Sequence, residues 1–415
     1  MSWARYPDYV ESGVPWFGTL PSHWTTPHLG HIVECLDAIR IPLNSSERAE
    51  VPGDVPYWGA NGVVGSVDRP LVDGELVLLG EDGAPFTDKT KEKAFYVNEP
   101  IWPNNHIHVL RPSAQVMPQF LTHALNANEY NWYIEGSTRE KLTQGKMLSI
   151  PIAMPPIAEQ HIIVRYLDSE TAKIDALIDK QEQLIATLRE ESDALWSAEL
   201  KRLSGLAPSL PIRRVIESIV DGPFGSSLTS SHYSADGARV IRLGNIGVNE
   251  FKDDDRAYIP LDYATSLSTH EVKKGDVVVA GLGDDKMPLG RAALVPPIGP
   301  AIVKADCYRV RPRAELVRAD YLAWALSAPP TRNQIALLAR GATRARLNTS
   351  VIKEVEIPVP ALRDQAEAVS RAREHLSKID FLVSKATQLS DTLREYRSAL
   401  ITNAVTGKID VREAV

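Results

Sequence analysis

The sequence has little of what builds disulfide-rich, membrane-spanning or exported proteins. Only two cysteines, Cys35 and Cys307, occur among 415 residues, too few for a disulfide framework or a cysteine zinc site. No apolar run reaches the roughly 18 residues that a membrane-spanning helix needs. The first ten residues, MSWARYPDYV, lack the basic-then-apolar order of a signal peptide. We therefore expect a cytoplasmic globular protein, for which 44% hydrophobic and 24% charged residues are ordinary.

The sequence also lacks the short motifs of enzymes that act on DNA. None of its proline pairs, at 155–156, 296–297 and 329–330, has the Asn or Asp before it and the aromatic residue after it that mark adenine methyltransferases. Residues 82–93 contain acids and lysines, but not at the spacing of a nuclease magnesium site. No phosphate-binding G-x-x-x-x-G-K-[ST] loop occurs. We expect no catalytic residue, metal site or cofactor in this chain.

The formal net charge of −7 is unevenly distributed. Between Glu159 and Arg202, ten acidic and six basic residues leave −4, more than half of the total. Such a segment suits a protein partner or solvent better than DNA. Basic residues cluster instead at 139–146, 286–291 and 340–346, where Gly and Thr neighbours favour contact with phosphate oxygens. A single cluster of this kind is as often a solvated loop. Here, however, the combination of Gly, Thr and basic residues occurs in both halves of the chain, from Gly136 and from Gly341.

An internal repeat runs for about forty residues at a fixed offset of 205. The segment that begins with Gly136 aligns without a gap with the segment that begins with Gly341. The shared pattern is G-x-T-R, then Leu, then I-x-x-P, then an acid followed by Gln, then K-I-D. Agreement of this length predicts two copies of a whole module rather than a solenoid.

Each copy continues into a long predicted helix. No Pro or Gly interrupts residues 159–202, which are mostly good helix formers. Apolar residues follow a seven-residue grid in both copies, which predicts a coiled-coil seam. The grid positions are Leu167, Ile174, Leu188 and Leu195 with Leu177 and Leu184 in the first copy, and Ala372, Ile379, Ala386, Leu393 and Leu400 with Leu382, Leu389 and Tyr396 in the second. The alternative is a core helix within one globular domain.

The segments before the helices are rich in Gly, Pro and short β-branched runs, such as residues 75–79 and 276–280. The sequence therefore predicts an α+β fold in which two domains of mixed strands and helices are separated by two long helices that form an antiparallel coiled coil. The predicted boundaries are 1–155 for the first domain and 156–204 for the first helix. They are 205–360 for the second domain and 361–415 for the second helix and tail.

Several motifs together resemble the specificity subunits of type I restriction-modification systems. Residues 16–24, WFGTLPSHW, are similar to the N-terminal W-x-G-x-[IL]-P-x-H-W segment of that family. Further family-like stretches are YWGANG at 57–62, NNHIHVL at 104–110, DGPFGSS at 221–227, RLGNI at 242–246, KADC at 304–307 and AVTGKID at 404–410. The resemblance covers nearly the whole chain, and it is specific in combination although each piece is weak.

The resemblance implies a DNA-recognition subunit without catalytic activity. Each target-recognition domain would read one half of a bipartite double-stranded DNA site, and the helices would set the gap between the halves. The helices would also dock two methyltransferase subunits, and two restriction and translocase subunits would join for cleavage. S-adenosylmethionine, ATP and magnesium would act in those partners, and no membrane is involved. Because the two domains differ in sequence, we expect an asymmetric target.

The candidate DNA contacts are chosen by residue type. Asn forms hydrogen bonds with adenine edges and Arg with guanine edges, whereas Arg, Lys, Thr and Ser form hydrogen bonds with phosphates. The candidates are Trp58, Asn61, Asn104, Asn105, His106, Thr138, Arg139, Lys141, Ser226, Arg242, Asn245, Lys304, Thr343, Arg344 and Arg346. Structural roles compete at several of them: a tight turn for Asn61, a cap or turn for Asn104 and Asn105, and a core position for Trp58.

Two other functions remain open from the sequence. One is a coiled-coil scaffold that binds only proteins; DNA binding that depends on the basic loops would exclude it. The other is a self-contained enzyme that modifies and cuts DNA, which the missing motifs disfavour. Methylation by the isolated chain with S-adenosylmethionine would support that enzyme.

Overall fold

The computed structural model describes residues 4–136, 140–284, 287–339 and 346–413. The chain divides into two compact units. The first unit combines Met1–Gln183 with Ala386–Val415, and the second is Leu184–Lys385. Each unit therefore contains one mixed domain together with segments of both long helices, and the domain boundaries predicted from the sequence stay a prediction.

The first half of the chain contains mostly short strands and one long helix. The strands are β1 (Tyr9–Glu11), β2 (Thr19–Pro21), β3 (Val33–Cys35), β4 (Val55–Gly59), β5 (Gly62–Val67), β6 (Glu75–Gly80), β7 (Ala94–Asn98), β8 (Trp102–Pro103), β9 (Ile107–Pro112), β10 (Ile134–Glu135) and β11 (Lys141–Leu142). The helices are α1 (Ser45–Glu50), α2 (Pro118–Ala127), α3 (Gln144–Leu148) and α4 (Ile157–Ser204), with 3-10 turns at Leu29–His31 and Asp37–Ile39.

The second half has the same kind of content. Its strands are β12 (Ser209–Pro211), β13 (Ile216–Val220), β14 (Ala238–Ile241), β15 (Tyr258–Ile259), β16 (Glu271–Val272), β17 (Val277–Ala280), β18 (Ala292–Leu294), β19 (Ala301–Val303), β20 (Cys307–Pro312) and β21 (Glu356–Pro358). Its helices are α5 (Leu261–Ser266), α6 (Ala319–Ser327), α7 (Pro329–Leu338), α8 (Thr349–Glu354) and α9 (Leu362–Val405). The 3-10 turns are Ile212–Arg214, Gly225–Leu228, Ser230–His232, Leu243–Asn245 and Ser268–His270.

Both units are built around the same antiparallel sheet. Its strand order is β3-β9-β6-β7 in the first unit and β13-β20-β17-β18 in the second. Each unit adds a second sheet that contains one parallel pair, β4 with β8 in a three-stranded sheet and β14 with β19 in a four-stranded sheet. In β6 the residues after Glu75 are apolar and buried, and β17 is apolar and buried along its whole length, so both faces of these strands are covered. Equal strand orders confirm the internal repeat predicted from the sequence.

A buried glutamine fixes each long helix to its domain in the same way. In the first unit, Gln160 accepts a hydrogen bond from the Met117 amide and donates to the Gln115 and Pro155 carbonyls. In the second unit, Gln365 accepts from the Arg318 amide and donates to the Leu316 and Pro360 carbonyls. The repeated acid-Gln motif is therefore a clamp at the start of α4 and α9.

The two long helices run antiparallel, as predicted. In the first unit, Asp175 pairs with Arg397 at 2.9 Å and Glu182 pairs with Arg394 at 2.6 Å, so numbers rise along α4 while they fall along α9. In the second unit, Glu199 pairs with Arg371 at 2.9 Å. Among the described residues, no helix is long and apolar enough to cross a membrane.

The structure corrects the predicted heptad pattern at its second position. Most of the main grid is buried, for example Leu167 and Ile174 in α4 and Ile379 in α9, but Leu195 of the main grid is 39% exposed. The second set, however, is about half exposed: Leu177, Leu184, Leu382, Leu389 and Tyr396. The seam instead uses positions four residues after the main grid, such as Ile178 after Ile174 and Ser390 after Ala386. We call these five exposed side chains the exposed heptad residues.

The end of the chain completes the core of the first unit. Ile409 and Val411 lie in the same apolar cluster as Trp24. Gly407 has a φ of +64°, and a Cβ there would lie 2.4 Å from Pro21 Cδ. The Tyr9 hydroxyl donates to the Gly407 carbonyl at 2.9 Å. The family-like segments 16–24 and 404–410 are therefore in contact with each other.

Candidate nucleic-acid interface

In the first unit, four loops meet where β6 ends. The amide of Glu81 donates to the His106 carbonyl at 2.8 Å, and its own carbonyl accepts from the Leu142 amide at 2.7 Å. Asp82 forms a β-bridge with Lys141, and the Asn61 side chain donates to the Gly83 carbonyl at 3.0 Å. The structure thus brings the loops that carry Asn61, His106 and Lys141 together at one edge of the sheet.

A buried network of charges supports this edge. His108 lies between Asp37 Oδ2, 2.6 Å from Nδ1, and the Leu142 carbonyl, 2.8 Å from Nε2. Arg40 contacts Glu81 Oε2 at 2.5 Å and Asp37 Oδ2 at 3.4 Å. Lys141 Nζ lies 3.0 Å from Glu81 Oε1. Both ring nitrogens of His108 are therefore within hydrogen-bond distance of an oxygen atom.

The carboxylates of this network stay ionised because of their partners. Burial alone raises the pKa of Asp37, but the hydrogen bond and charge of His108 outweigh burial, so the pKa is lowered. Burial also opposes ionisation of Glu81, and hydrogen bonds from Arg40 and Lys141 lower its pKa. Ligand atoms of Asp37, Glu81 and His108 lie within 4.8 Å of one another, close enough for a cation. Because Arg40 and Lys141 already neutralise these carboxylates, we interpret the cluster as an ion-pair network.

The second unit repeats the edge with different side chains. The Gly281 amide donates to the Asp306 carbonyl at 2.7 Å, and its carbonyl accepts from the Leu347 amide at 2.9 Å. Arg346 forms a β-bridge with Leu282, and its Nε lies 2.7 Å from Asp306 Oδ1. Lys141 and Arg346, 205 residues apart, therefore occupy equivalent places, each about half exposed and each paired with a carboxylate.

Phe224 and Lys304 lie around the second edge. The Arg346 guanidinium carbon lies 5.6 Å from the centre of the Phe224 ring, which is 51% exposed. Lys304 Nζ lies 5.9 Å from the centre of the Tyr233 ring. Gly222 is in close contact with the Lys304 backbone, where a Cβ would lie 2.0 Å from the carbonyl carbon. Exposed Ser226 follows in the same loop as Phe224.

Three predicted contacts are buried. Trp58 is 9% exposed and packs in the core of the first unit with its ring centre 5.4 Å from that of Phe95. The Asn104 side chain accepts from the His106 amide at 2.8 Å, so it shapes the turn. The Asn245 side chain is fully buried and donates to the Lys252 and Asp255 carbonyls at 2.9 and 2.8 Å. Contact with a base at Asn245 would require these bonds to break.

The other predicted residues differ in accessibility. Asn61 and Asn105 are exposed, and His106 Nδ1 lies 2.7 Å from Asp82 Oδ1. Arg242 is partly buried and pairs with Asp255. Thr138, Arg139, Thr343 and Arg344 lie outside the described residues. None of these DNA contacts is tested by the geometry, and all remain predictions.

Sequence reasoning missed the acids and rings that hold the basic residues. Glu81 and Asp306 pair with Lys141 and Arg346, although the KADC motif had drawn attention to Asp306. His108 and Tyr308 were not selected, yet both contact the backbone beside those cations. The signal available was their common place as the second residue of β9 and β20.

Known proteins share both sequence and fold with this chain. The family described as type I restriction modification DNA specificity domain matches residues 21–186. A provisionally named type I restriction enzyme specificity subunit of Haemophilus influenzae is 26% identical over 87% of this chain and 88% of its own length. The EcoBI specificity subunit of Escherichia coli is 21% identical over 71% of this chain and 64% of its own length.

A solved structure from a study of complex assembly in a type I restriction-modification system has the same fold. It aligns with 93% of this chain and 98% of its own, with a TM-score of 0.62 and 15% identity. The predicted α+β architecture with two long helices is confirmed. The sequence matches make this chain similar, over most of its length, to specificity subunits of type I restriction-modification systems.

Proposed function

We propose that each mixed domain, residues 1–155 and residues 205–360, reads one half of an asymmetric DNA target. The observation that carries this proposal is the edge built twice from the same backbone contacts, with an exposed cation at the same place in both copies. Side chains around the two edges differ, for example His106 against Asp306. Equivalent frames with different side chains favour two half-sites of different sequence.

The proposed DNA contacts are the candidate residues that are not buried, together with the candidates that lie outside the described residues. Lys141 and Arg346 suit phosphate oxygens, because each cationic side chain is about half exposed although its carboxylate partner, Glu81 or Asp306, is largely buried. For base edges we propose Asn61, Asn105 and His106 in the first domain, and Arg242 and Lys304 in the second. Ser226, Thr138, Arg139, Thr343 and Arg344 are proposed backbone contacts. The buried Trp58, Asn104 and Asn245 are proposed to hold the loops.

The helices are proposed to set the gap between half-sites and to dock two methyltransferase subunits. At 1.5 Å per residue, the 48 residues of α4 extend over roughly 70 Å. The exposed heptad residues offer apolar surface that a protein partner can cover. Two restriction and translocase subunits complete the proposed complex. Catalysis with S-adenosylmethionine, ATP and magnesium is assigned to the partners, in the cytoplasm, and this chain is proposed to be non-catalytic.

Transfer of labelled methyl groups from S-adenosylmethionine to genomic DNA tests this division of labour. We expect transfer by the chain together with its methyltransferase partner, and none by either alone. Methyl transfer by the purified chain would show that it is itself an enzyme. An assembled complex with an active methyltransferase that modifies no DNA would instead support a protein-binding scaffold.

A further inference from the structure

One side chain of the central sheet holds the backbone beside each exposed cation. His108 and Tyr308 are the second residues of β9 and β20, opposite Leu79 and Val279 on the neighbouring strands. Each is 1% exposed. His108 Nε2 lies 2.8 Å from the Leu142 carbonyl oxygen, and the Tyr308 hydroxyl donates to the Leu347 carbonyl. Two chemically different side chains, an imidazole and a phenol, thus form a hydrogen bond with the carbonyl of the equivalent leucine in the two units.

The leucine that they hold directly follows the exposed cation. Leu142 and Leu347 are buried, and their amides donate to the carbonyls of Glu81 and Gly281. Amide, carbonyl and side chain are therefore all fixed at that residue. Since consecutive Cα atoms are 3.8 Å apart, fixing the leucine restricts where the Cα of Lys141 or Arg346 can lie, and the β-bridge that each of these two residues forms restricts it further. The long cationic side chain then starts from a set place although it is itself half exposed.

The surroundings of Tyr308 leave room for this arrangement. A Cβ at Gly281 would lie 2.6 Å from the Tyr308 ring, so the absence of a side chain there admits the ring. In the first unit the equivalent position is Glu81, whose carboxylate contacts Arg40 and Lys141. Burial raises the pKa of the Tyr308 hydroxyl, so it remains a hydrogen-bond donor into more alkaline solution than an exposed tyrosine would.

We propose that His108 and Tyr308 are positioning residues for DNA contact, acting through Lys141 and Arg346. The proposal rests on the proposed function, because it concerns the same two edges. Neither residue needs to contact DNA, since each is buried. Their effect is to keep the cation at the place where a phosphate is met.

Tyr308→Phe is the sharpest test, because it removes one hydroxyl and keeps the ring. Removing His108 would take away the hydrogen bond to Asp37 Oδ2 within the buried charge network, which mixes unfolding with loss of positioning. The matched control is Tyr321→Phe in the same unit, since the Tyr321 hydroxyl is also buried and donates to the Pro358 carbonyl at 2.7 Å. Melting temperatures of the two variants show how much stability each loses.

The affinity of the complex with the methyltransferase is measured on a duplex that carries its mapped methylation motif. We expect Tyr308→Phe to raise Kd by about 2- to 10-fold, the effect of one lost hydrogen bond. The slope of log Kd against log salt concentration falls by up to about 0.9 if one phosphate contact is lost. Tyr321→Phe is expected to leave both quantities unchanged.

A double-mutant cycle with Arg346→Ala separates positioning from a general structural effect. If Tyr308 acts through Arg346, the double variant binds no more weakly than Arg346→Ala alone. The positioning role would be overturned if the increases in Kd caused by the two substitutions multiplied, or if Tyr308→Phe behaved like Tyr321→Phe. The proposed function would still stand in either case if Arg346→Ala weakened binding. A wild-type complex that does not bind the duplex would overturn the proposed function and this proposal together.

Discussion

At the scale of single residues, Lys93 is a buried cation in the first unit. Its Nζ donates to the carbonyls of Asp88 and Asn126 at 3.3 Å and lies 5.8 Å from the centre of the Tyr130 ring. Burial lowers the pKa of Lys93 from 10.5 to about 8. At neutral pH Lys93 is therefore still charged, although its buried surroundings favour the uncharged amine.

Replacing this cation by a methionine of similar length is expected to stabilise the first unit near pH 7. Between pH 8 and 10.5 the unfolded chain holds a proton that the folded chain has lost, so wild-type stability rises with pH in that window. A pKa difference of this size corresponds to about 3 kcal/mol, an upper value for the gain from Lys93→Met because two hydrogen bonds are also lost.

Denaturant unfolding at pH 7 and pH 10 measures this effect. The advantage of Lys93→Met over wild type should shrink at the higher pH. Lys91→Met is the control, because the Lys91 side chain is 68% exposed and its removal should change stability little at either pH. If the difference in free energy of unfolding between Lys93→Met and wild type were the same at both pH values, burial of the Lys93 charge would not destabilise the protein.

The sequence identified side chains that are chemically suited to read bases, but it did not predict which of them are buried or what they contact. Asn61 and Asn245 are equally good base readers by type, yet one is exposed and the other is buried with its amide bonded to two carbonyls. Those carbonyls, of Lys252 and Asp255, come from a loop that local sequence does not place. The acids opposite Lys141 and Arg346 escaped notice for the same reason, since they lie 60 and 40 residues away along the chain.

At the scale of elements, the buried glutamines are the joints between helix and domain. Gln365→Leu keeps most of the side-chain volume but leaves the Arg318 amide and the Leu316 and Pro360 carbonyls without their partner. Each buried group left unpaired costs about 1–3 kcal/mol, so we expect the second unit to unfold at clearly lower denaturant concentration. Gln183→Leu, at an exposed position of α4, is the control. Equal effects of the two substitutions would contradict the clamp.

The exposed heptad residues are predicted to bind the methyltransferase rather than stabilise the chain. Leu177→Glu should weaken co-purification of the partner and leave the melting temperature nearly unchanged, because Leu177 is 47% exposed. Leu167→Ala, at a fully buried position of the same helix, should instead cost about 2–5 kcal/mol of stability. Full retention of the partner by Leu177→Glu would place its docking surface elsewhere.

Helix existence and direction followed from the sequence, but the faces of the helices did not. A seven-residue grid fixes one buried position, while its companion can lie three or four residues later. Because Leu177 is a leucine three residues after Ile174, the sequence favoured the three-residue spacing. In the structure Ile178, four residues after Ile174, is buried instead. Leucines outside the seam look the same in sequence as leucines within it, because partner surfaces are apolar too.

At the scale of the whole molecule, the chain end is part of the first unit. Gly407→Ala is expected to destabilise that unit by about 1–3 kcal/mol, since φ is +64° and the added Cβ meets Pro21. Hydrogen exchange should show the loss in the first unit, with the second unit unchanged. Gly145→Ala, in α3 with nothing within 4 Å of the new Cβ, should be neutral or slightly stabilising. Equal behaviour of the two variants would contradict this packing.

The central claim is that two equivalent edges read two different half-sites. The most direct measurement is a genome-wide map of adenine methylation in cells that express the chain with its methyltransferase partner. The account predicts one split motif with a fixed gap and two unlike halves, absent when this chain is omitted. A motif with identical halves, a continuous motif, or methylation that persists without the chain would contradict it.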